Sequence, residues 1–208
     1  MAAEKPYLVG LTGSIGMGKS ETAKMFVRLG IPVYDADAAV QALYEKGGAA
    51  VPKIAEAFPG SVKDGRVDRD ALWALASSDA SVFAILETIV HPLVAQAQQA
   101  FVADAQSKGE ELVVLDIPLL FESGGYAQMD SVVVVSAREE VQRERVLSRE
   151  GMTQDKMAKI LARQMPDAEK RAKADFTVET DKGLDHAFEQ VKRIIGELKN
   201  RRGASRDA

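Results

Sequence analysis

The hydrophobic positions fall into two kinds of pattern. Tyr7–Thr12, Leu112–Asp116 and Ser131–Val135 are short apolar runs, largely β-branched or leucine, without polar alternation. Unbroken hydrophobicity of that length predicts parallel strands covered on both faces. Ile31–Tyr34, ending at Asp35, and Phe176–Val178 are shorter runs of the same kind. Elsewhere the spacing turns helical. Lys19–Leu29 carries Ala23, Phe26, Val27 and Leu29, with Gly30 as a stop and Pro32 just beyond. Glu139–Glu150, Thr153–Gln164 and Leu184–Leu198 read as further helices, the second with Thr153 as its N-cap. The opening strand, helix and strand make a βαβ unit.

The middle of the chain differs. From Ala36 to Lys108 no strand is predicted, and Val82, Phe83, Leu86, Ile89, Val90, Leu93 and Val94 recur at helical spacing. Gly47-Gly48, Pro59-Gly60 and Asp64-Gly65 are turn signals that divide the segment into short helices. His91-Pro92 marks a helix start or a kink. The segment reads as a helical insertion, with Trp73 as core or pocket wall. Residues 201–208 are polar and read as a frayed tail.

Composition narrows the class. The 208 residues suit a single domain carrying an insertion. There is no cysteine, which excludes a disulfide scaffold, thiol catalysis and Cys-ligated metal. Two histidines far apart, His91 and His186, argue against a His-rich metal site. The net charge of −4 gives no bulk reason to expect a nucleic-acid partner. No apolar run is long enough to span a membrane, and Met1–Pro6 lacks a signal-peptide layout. The expectation is a soluble cytoplasmic protein handling a small or acidic ligand. No exposed heptad pattern speaks to its oligomeric state.

Residues Gly13–Ser20, GSIGMGKS, fit G-x-x-x-x-G-K-[ST] in full, after a predicted strand and opening a predicted helix. Glycines let the chain turn so that successive N–H groups face inward onto phosphate oxygens. The helix N-terminus adds its positive end. Lys19 is placed for the β- and γ-phosphates and the Ser20 hydroxyl for Mg²⁺. The pattern makes a nucleoside triphosphate binder. A GTP switch is disfavoured twice over. The single asparagine, Asn200, lies near the C-terminus, and Leu119 stands where a D-x-x-G starting at Asp116 needs glycine.

A small-molecule kinase needs a carboxylate near the acceptor hydroxyl and cations over the phosphates. Asp35 and Asp37 follow the second strand, at the sheet edge where α/β folds bind ligands. Asp35 serves equally well as a helix cap. A cap uses only one of the pair, so Asp37 is the functional candidate. Asp116 ends an apolar strand, where a carboxylate can hold Mg²⁺ through water. Arg145 and Arg149 share a helical face at i,i+4 and suit a polyphosphate clamp. Glu139, Glu140, Glu144 and Glu150 offer the plainer reading of a solvated, ion-paired face, which applies equally to Arg143. Arg163 and Arg171 are weaker candidates. His91 reads more simply as structural.

The order of these motifs resembles the dephospho-CoA kinase family. The resemblance runs through Leu11–Ser20, Gly30–Asp37, Gly65–Leu72, His91–Leu93, Val114–Glu122, Gln142 with Arg145 and Arg149, Gln164, and Glu169–Asp175. It implies transfer of the ATP γ-phosphate to the ribose 3′-hydroxyl of dephospho-CoA. It implies an α/β, three-layer P-loop NTPase fold with a parallel sheet, a helical substrate-binding insertion and a helical lid. The core would comprise residues 5–36, 109–145 and 172–200, the CoA-binding insertion 37–108, and the lid 146–171. Carried onto this sequence, Ser14, Ile15, Gly16, Met17, Gly18, Lys19, Ser20 and Glu21 bind ATP. Asp37 is the catalytic carboxylate, with Lys19 and the lid arginine Arg149 at the phosphates. Asp68, Arg69, His91, Pro118 and Leu119 surround the acceptor. Two positions depart from the family pattern: Glu21, where threonine is frequent, and Glu179-Thr180, where Asp-Asn is frequent.

Overall fold

The computed structural model describes residues 4–79 and 81–206. In chain order the elements are β1 (Tyr7–Thr12), α1 (Lys19–Arg28), β2 (Val33–Asp35), α2 (Ala36–Tyr44), α3 (Val51–Ala57), β3 (Val62–Lys63), β4 (Arg66–Val67) and α4 (Arg69–Ser78). There follow α5 (Ser81–Ser107), β5 (Leu112–Asp116), a single 3₁₀ turn (Gly125–Gln128), β6 (Ser131–Ser136), α6 (Glu139–Leu147), α7 (Gln154–Leu161), α8 (Asp167–Lys173), β7 (Phe176–Glu179) and α9 (Leu184–Arg206).

The chain divides into two compact units, one of residues up to Tyr34 and from Asp104 onward, the other Asp35–Ala103. The first is built on a five-stranded sheet in the order β2-β5-β1-β6-β7. Strand β1 runs parallel to β5 and β6, and β6 runs parallel to β7. Both faces are covered, which explains the unbroken apolar runs. Val133 and Val135 pack into one cluster with Phe26 of α1 and with Val191, Ile194 and Leu198 of α9. The alternate residues Val132 and Val134 pack on the other face with Leu120 and Phe121. All six residues of β6 are buried.

The second unit has its own core, in which Ala50, Val51, Ile54 and Phe58 meet Val67, Leu72, Ala76 and Val82. Its expected all-helical character needs correction, because β3 and β4 form an antiparallel hairpin. Asp64 and Gly65 both have positive φ, 52° and 78°. That is the backbone of a tight two-residue hairpin turn, for which Asp-Gly is a favoured sequence. Strands of two residues are too short to show alternation, so only the turn was visible. Pro92 neither starts nor stops a helix, since α5 runs through it. Trp73 is not core or pocket wall: it is 65% exposed, edge-on to Phe83.

Two further differences lie in the first unit. Helix α8 was not predicted; its seven residues are too few for a periodic signal. The expected frayed tail is helical through Arg206. Arg201 there is paired with Asp175 at 2.6 Å, and Arg202 with Glu111 at 2.9 Å. Residues 207–208 lie outside the described part. No helix among the described residues is long and apolar enough to cross a membrane.

Candidate active site

Residues 13–18 join β1 to α1. Gly13 is pressed on β6: a Cβ there would lie 2.6 Å from the Val135 carbonyl oxygen, a backbone atom that has little room to yield. Gly18 caps α1 with φ 95°, a conformation that glycine alone adopts without strain. The first N–H to bond back across the helix start is that of Thr22, to the Gly18 carbonyl at 3.1 Å. Among the described residues, the N–H groups of Lys19, Ser20 and Glu21 are therefore left for an external acceptor, at the positive end of the helix dipole.

The register pairs Leu11 with Asp116, so β5 ends beside the start of the loop. Asp116 is buried, and the Lys19 ammonium sits 2.5 Å from its Oδ1. Ser20 is exposed in the first turn of α1. Glu21 points its charge onto Lys24, 2.6 Å away on the exposed face, which offsets the negative charge that its position adds near the loop. The Ser20 hydroxyl and the Asp116 carboxylate are hard oxygen donors. They fit Mg²⁺, which takes one or two protein oxygens and completes its shell with phosphate and water.

Four side chains that carried no assigned anchoring role in the sequence grip the loop from outside. Gln142 Nε2 donates to the Ile15 carbonyl at 2.7 Å, and Gln164 Oε1 accepts from the Ile15 N–H at 3.1 Å. Thr180 Oγ1 donates to the Met17 carbonyl at 2.7 Å. Arg145 holds Thr180 twice, at Oγ1 (2.9 Å) and at the carbonyl (2.8 Å). For Gln142 and Gln164 the one sequence signal is their place in the family-like segments, for Thr180 its departure from them, and Arg145 is singled out by its helical spacing as well, though for the phosphates and not for Thr180. A cavity of about 660 Å³ lies alongside, lined in part by Ser14, Met17, Gln142, Met157, Gln164 and Asp167. Asp167 accepts from Ser136 Oγ at 2.7 Å, while its other oxygen is buried without a hydrogen-bond partner among the described residues.

The expected shared face of Arg145 and Arg149 is not formed. Helix α6 ends at Leu147, and Ser148 closes it by donating from Oγ to the Arg145 carbonyl at 3.0 Å. Arg145 turns inward to Thr180, whereas Arg149 lies exposed in the following turn. Beyond β5, the Pro118 carbonyl accepts from Thr12 Oγ1 at 2.9 Å, and Leu119 is exposed.

In the second unit, Asp35 caps α2 by accepting from the Ala38 N–H at 2.9 Å. Asp37 stands exposed in the first turn of that helix. Asp68 caps α4, accepting from Asp70 and Ala71. Arg69 lies over the Tyr44 ring at 5.6 Å. Burial raises the Tyr44 phenol pKa, and the Arg69 charge works against it. Tyr44, Asp68 and Arg69 line a cleft of about 540 Å³ together with Gln41, Lys63 and Arg66. Lys63 and Arg66 are direct cross-strand partners, a like-charge pairing that costs stability in a hairpin. Neither Asp37 nor His91 lines this cleft, and His91 is exposed on α5.

The sequence profile of the dephospho-CoA kinase family matches residues 7–186. A dephospho-CoA kinase of Mesorhizobium japonicum is 54% identical over 197 residues, 95% of this chain and 99% of that protein. The crystal structure of TT1252 from Thermus thermophilus superposes with a TM-score of 0.79 at 34% identity, covering 94% of this chain and 99% of that one. Dephospho-CoA kinase from Campylobacter jejuni shares the fold, with a TM-score of 0.67 at 19% identity, over 94% of this chain and 98% of that one.

Proposed function

We infer that this chain, which belongs to the dephospho-CoA kinase family, transfers the γ-phosphoryl group of ATP to the ribose 3′-hydroxyl of dephospho-CoA, giving CoA and ADP. The observation that carries the reading is the glycine-bent loop ending in Lys19, whose ammonium rests on Asp116 at the carboxyl edge of the sheet. The loop Ser14–Glu21 takes the ATP phosphates through the N–H groups that it does not spend internally, those of Ile15 and Met17 being held by Gln164 and by the Ser14 carbonyl, and Lys19 moves from Asp116 onto the β- and γ-phosphates. Mg²⁺ would be held by Ser20 and Asp116 and would supply charge neutralisation on the phosphate oxygens.

Asp37 accepts the proton of the acceptor hydroxyl. Its support is chemical and positional. Asp35 is spent on the helix cap, and Asp37 follows two residues after β2, next to β5 in the sheet, without a hydrogen bond or ion pair among the described residues. Arg149, exposed and unpaired among the described residues, supplies mobile positive charge to the transferring group. Residues 146–171 act as its lid, and closure excludes water that would otherwise hydrolyse ATP.

Residues 37–108 take the acceptor. The cleft of Tyr44, Lys63, Arg66, Asp68 and Arg69 suits a diphosphate joined to a less polar arm, which gives the cross-strand cations a purpose. His91, Pro118 and Leu119 complete the acceptor surroundings in this reading, and residues 5–36, 109–145 and 172–200 form the core. A cytoplasmic setting belongs to the same reading, since both substrates are charged nucleotides.

The Asp37→Asn variant tests the mechanism. Removing a general base costs about 10²–10⁴-fold in turnover, with KM for ATP nearly unchanged. Turnover equal to that of the unaltered chain would remove Asp37 from the reaction.

A further inference from the structure

A trans peptide unit is rigid, so the carbonyl of one residue points opposite to the N–H of the next. Holding a carbonyl from behind therefore aims the following N–H forward. Two carbonyls of the phosphate loop are held in this way by strong bonds. Gln142 donates to Ile15, which turns the Gly16 N–H away from α6. Thr180 donates to Met17, which turns the Gly18 N–H away from Thr180. Between them Arg145 reaches the Gly16 carbonyl at 3.5 Å, the outer limit of a hydrogen bond.

The direction of the Thr180 bond is set by its neighbours. A hydroxyl has one hydrogen to give. The guanidinium of Arg145 occupies one lone pair of Thr180 Oγ1. The hydrogen then goes to Met17 at 2.7 Å rather than to the Ser136 carbonyl at 3.4 Å. Gln142 is similarly constrained. Its amide is buried, and Gln164 takes the N–H of the same Ile15, so that residue is fixed from both sides.

We propose that Gln142, Gln164 and Thr180 are positioning residues that set the phosphate-binding N–H groups of the loop before nucleotide arrives. Their work is to spare the bound state the cost of ordering the loop, which strengthens phosphate binding without touching phosphate. The proposal rests on the reading of residues 13–20 as the phosphate site.

Binding of inorganic tripolyphosphate, ATP and adenosine to the full chain, measured by titration calorimetry, tests it. Thr180→Val keeps the shape of the side chain and removes its hydroxyl. Gln142→Met keeps the approximate shape and removes the donor without adding charge. In each variant, affinity for tripolyphosphate and for ATP falls by the same factor, about threefold to tenfold, the worth of one hydrogen bond. Affinity for adenosine stays as it was, and Thr180→Ser restores phosphate affinity. Unaltered tripolyphosphate affinity in both Thr180→Val and Gln142→Met overturns the proposal. So does an equal loss towards adenosine, which would mean general damage to the fold. Lys19→Ala separates the two levels. If it also leaves tripolyphosphate affinity intact, the phosphate site itself is misplaced. If it weakens binding while the other two do not, the loop reading stands and the positioning role falls.

Discussion

Lys170 is completely buried, and its ammonium meets Glu122 Oε1 at 2.9 Å. Glu122 also accepts from the Met165 N–H at 2.7 Å. Burial alone would raise the Glu122 carboxyl. The Lys170 ammonium beside it, with the N–H groups of Met165 and of Glu122 itself, outweighs burial and holds it below its ordinary value of 4.5. A depressed carboxyl contributes stability above its unfolded pKa, and the contribution is lost as pH falls through the folded value. Thermal stability should therefore decline below about pH 4.5 partly through Glu122. Glu122→Gln strands the lysine and should cost about 1–3 kcal/mol at neutral pH, with a shallower acid decline in Tm. A variant with unchanged Tm and an unchanged acid limb would show that the pair does no structural work. None of this was legible in the sequence. Glu122 and Lys170 both stand in family-like segments, but nothing in the sequence around Lys170 signals that the lysine is buried. Lys19 and Asp116 were legible, because their positions follow from strand ends.

Helices were read well where a cap or a stop residue marked them. Thr153 accepts from the Lys156 N–H at 3.2 Å and starts α7, as the sequence predicts. Removing a threonine cap costs about 1 kcal/mol. Thr153→Ala should therefore speed amide hydrogen exchange in the first turn of α7 and leave that of β1 and β6 unchanged. Equal protection of that turn in the variant and in the unaltered chain would mean that tertiary packing of Met157, and not the cap, holds α7. Helix α6 was read too long because charge pattern cannot show a stop. Ser148 and the turn with Gly151 at φ 70° end it before Arg149. That short difference decides which arginine faces inward. The hairpin of β3 and β4 and helix α8 were missed for one reason, since each is shorter than the period needed to detect it.

At the scale of the molecule, the core strands were visible because burial on both faces writes itself as unbroken valine and leucine. Val132–Val135 serve two clusters at once, and no polar residue interrupts them. The helical character of Asp35–Ala103 was visible as well, though not its hairpin. Which loop carbonyls are held, and by what, was not visible, because those contacts join residues more than a hundred positions apart. The reaction itself is a property of the whole chain, and ADP release with Mg²⁺-ATP tests it most directly. The expected result is ADP formation only when dephospho-CoA is present, with a product heavier by one phosphoryl group in the mass spectrum. ATP bound but no phosphorylated dephospho-CoA formed would contradict it.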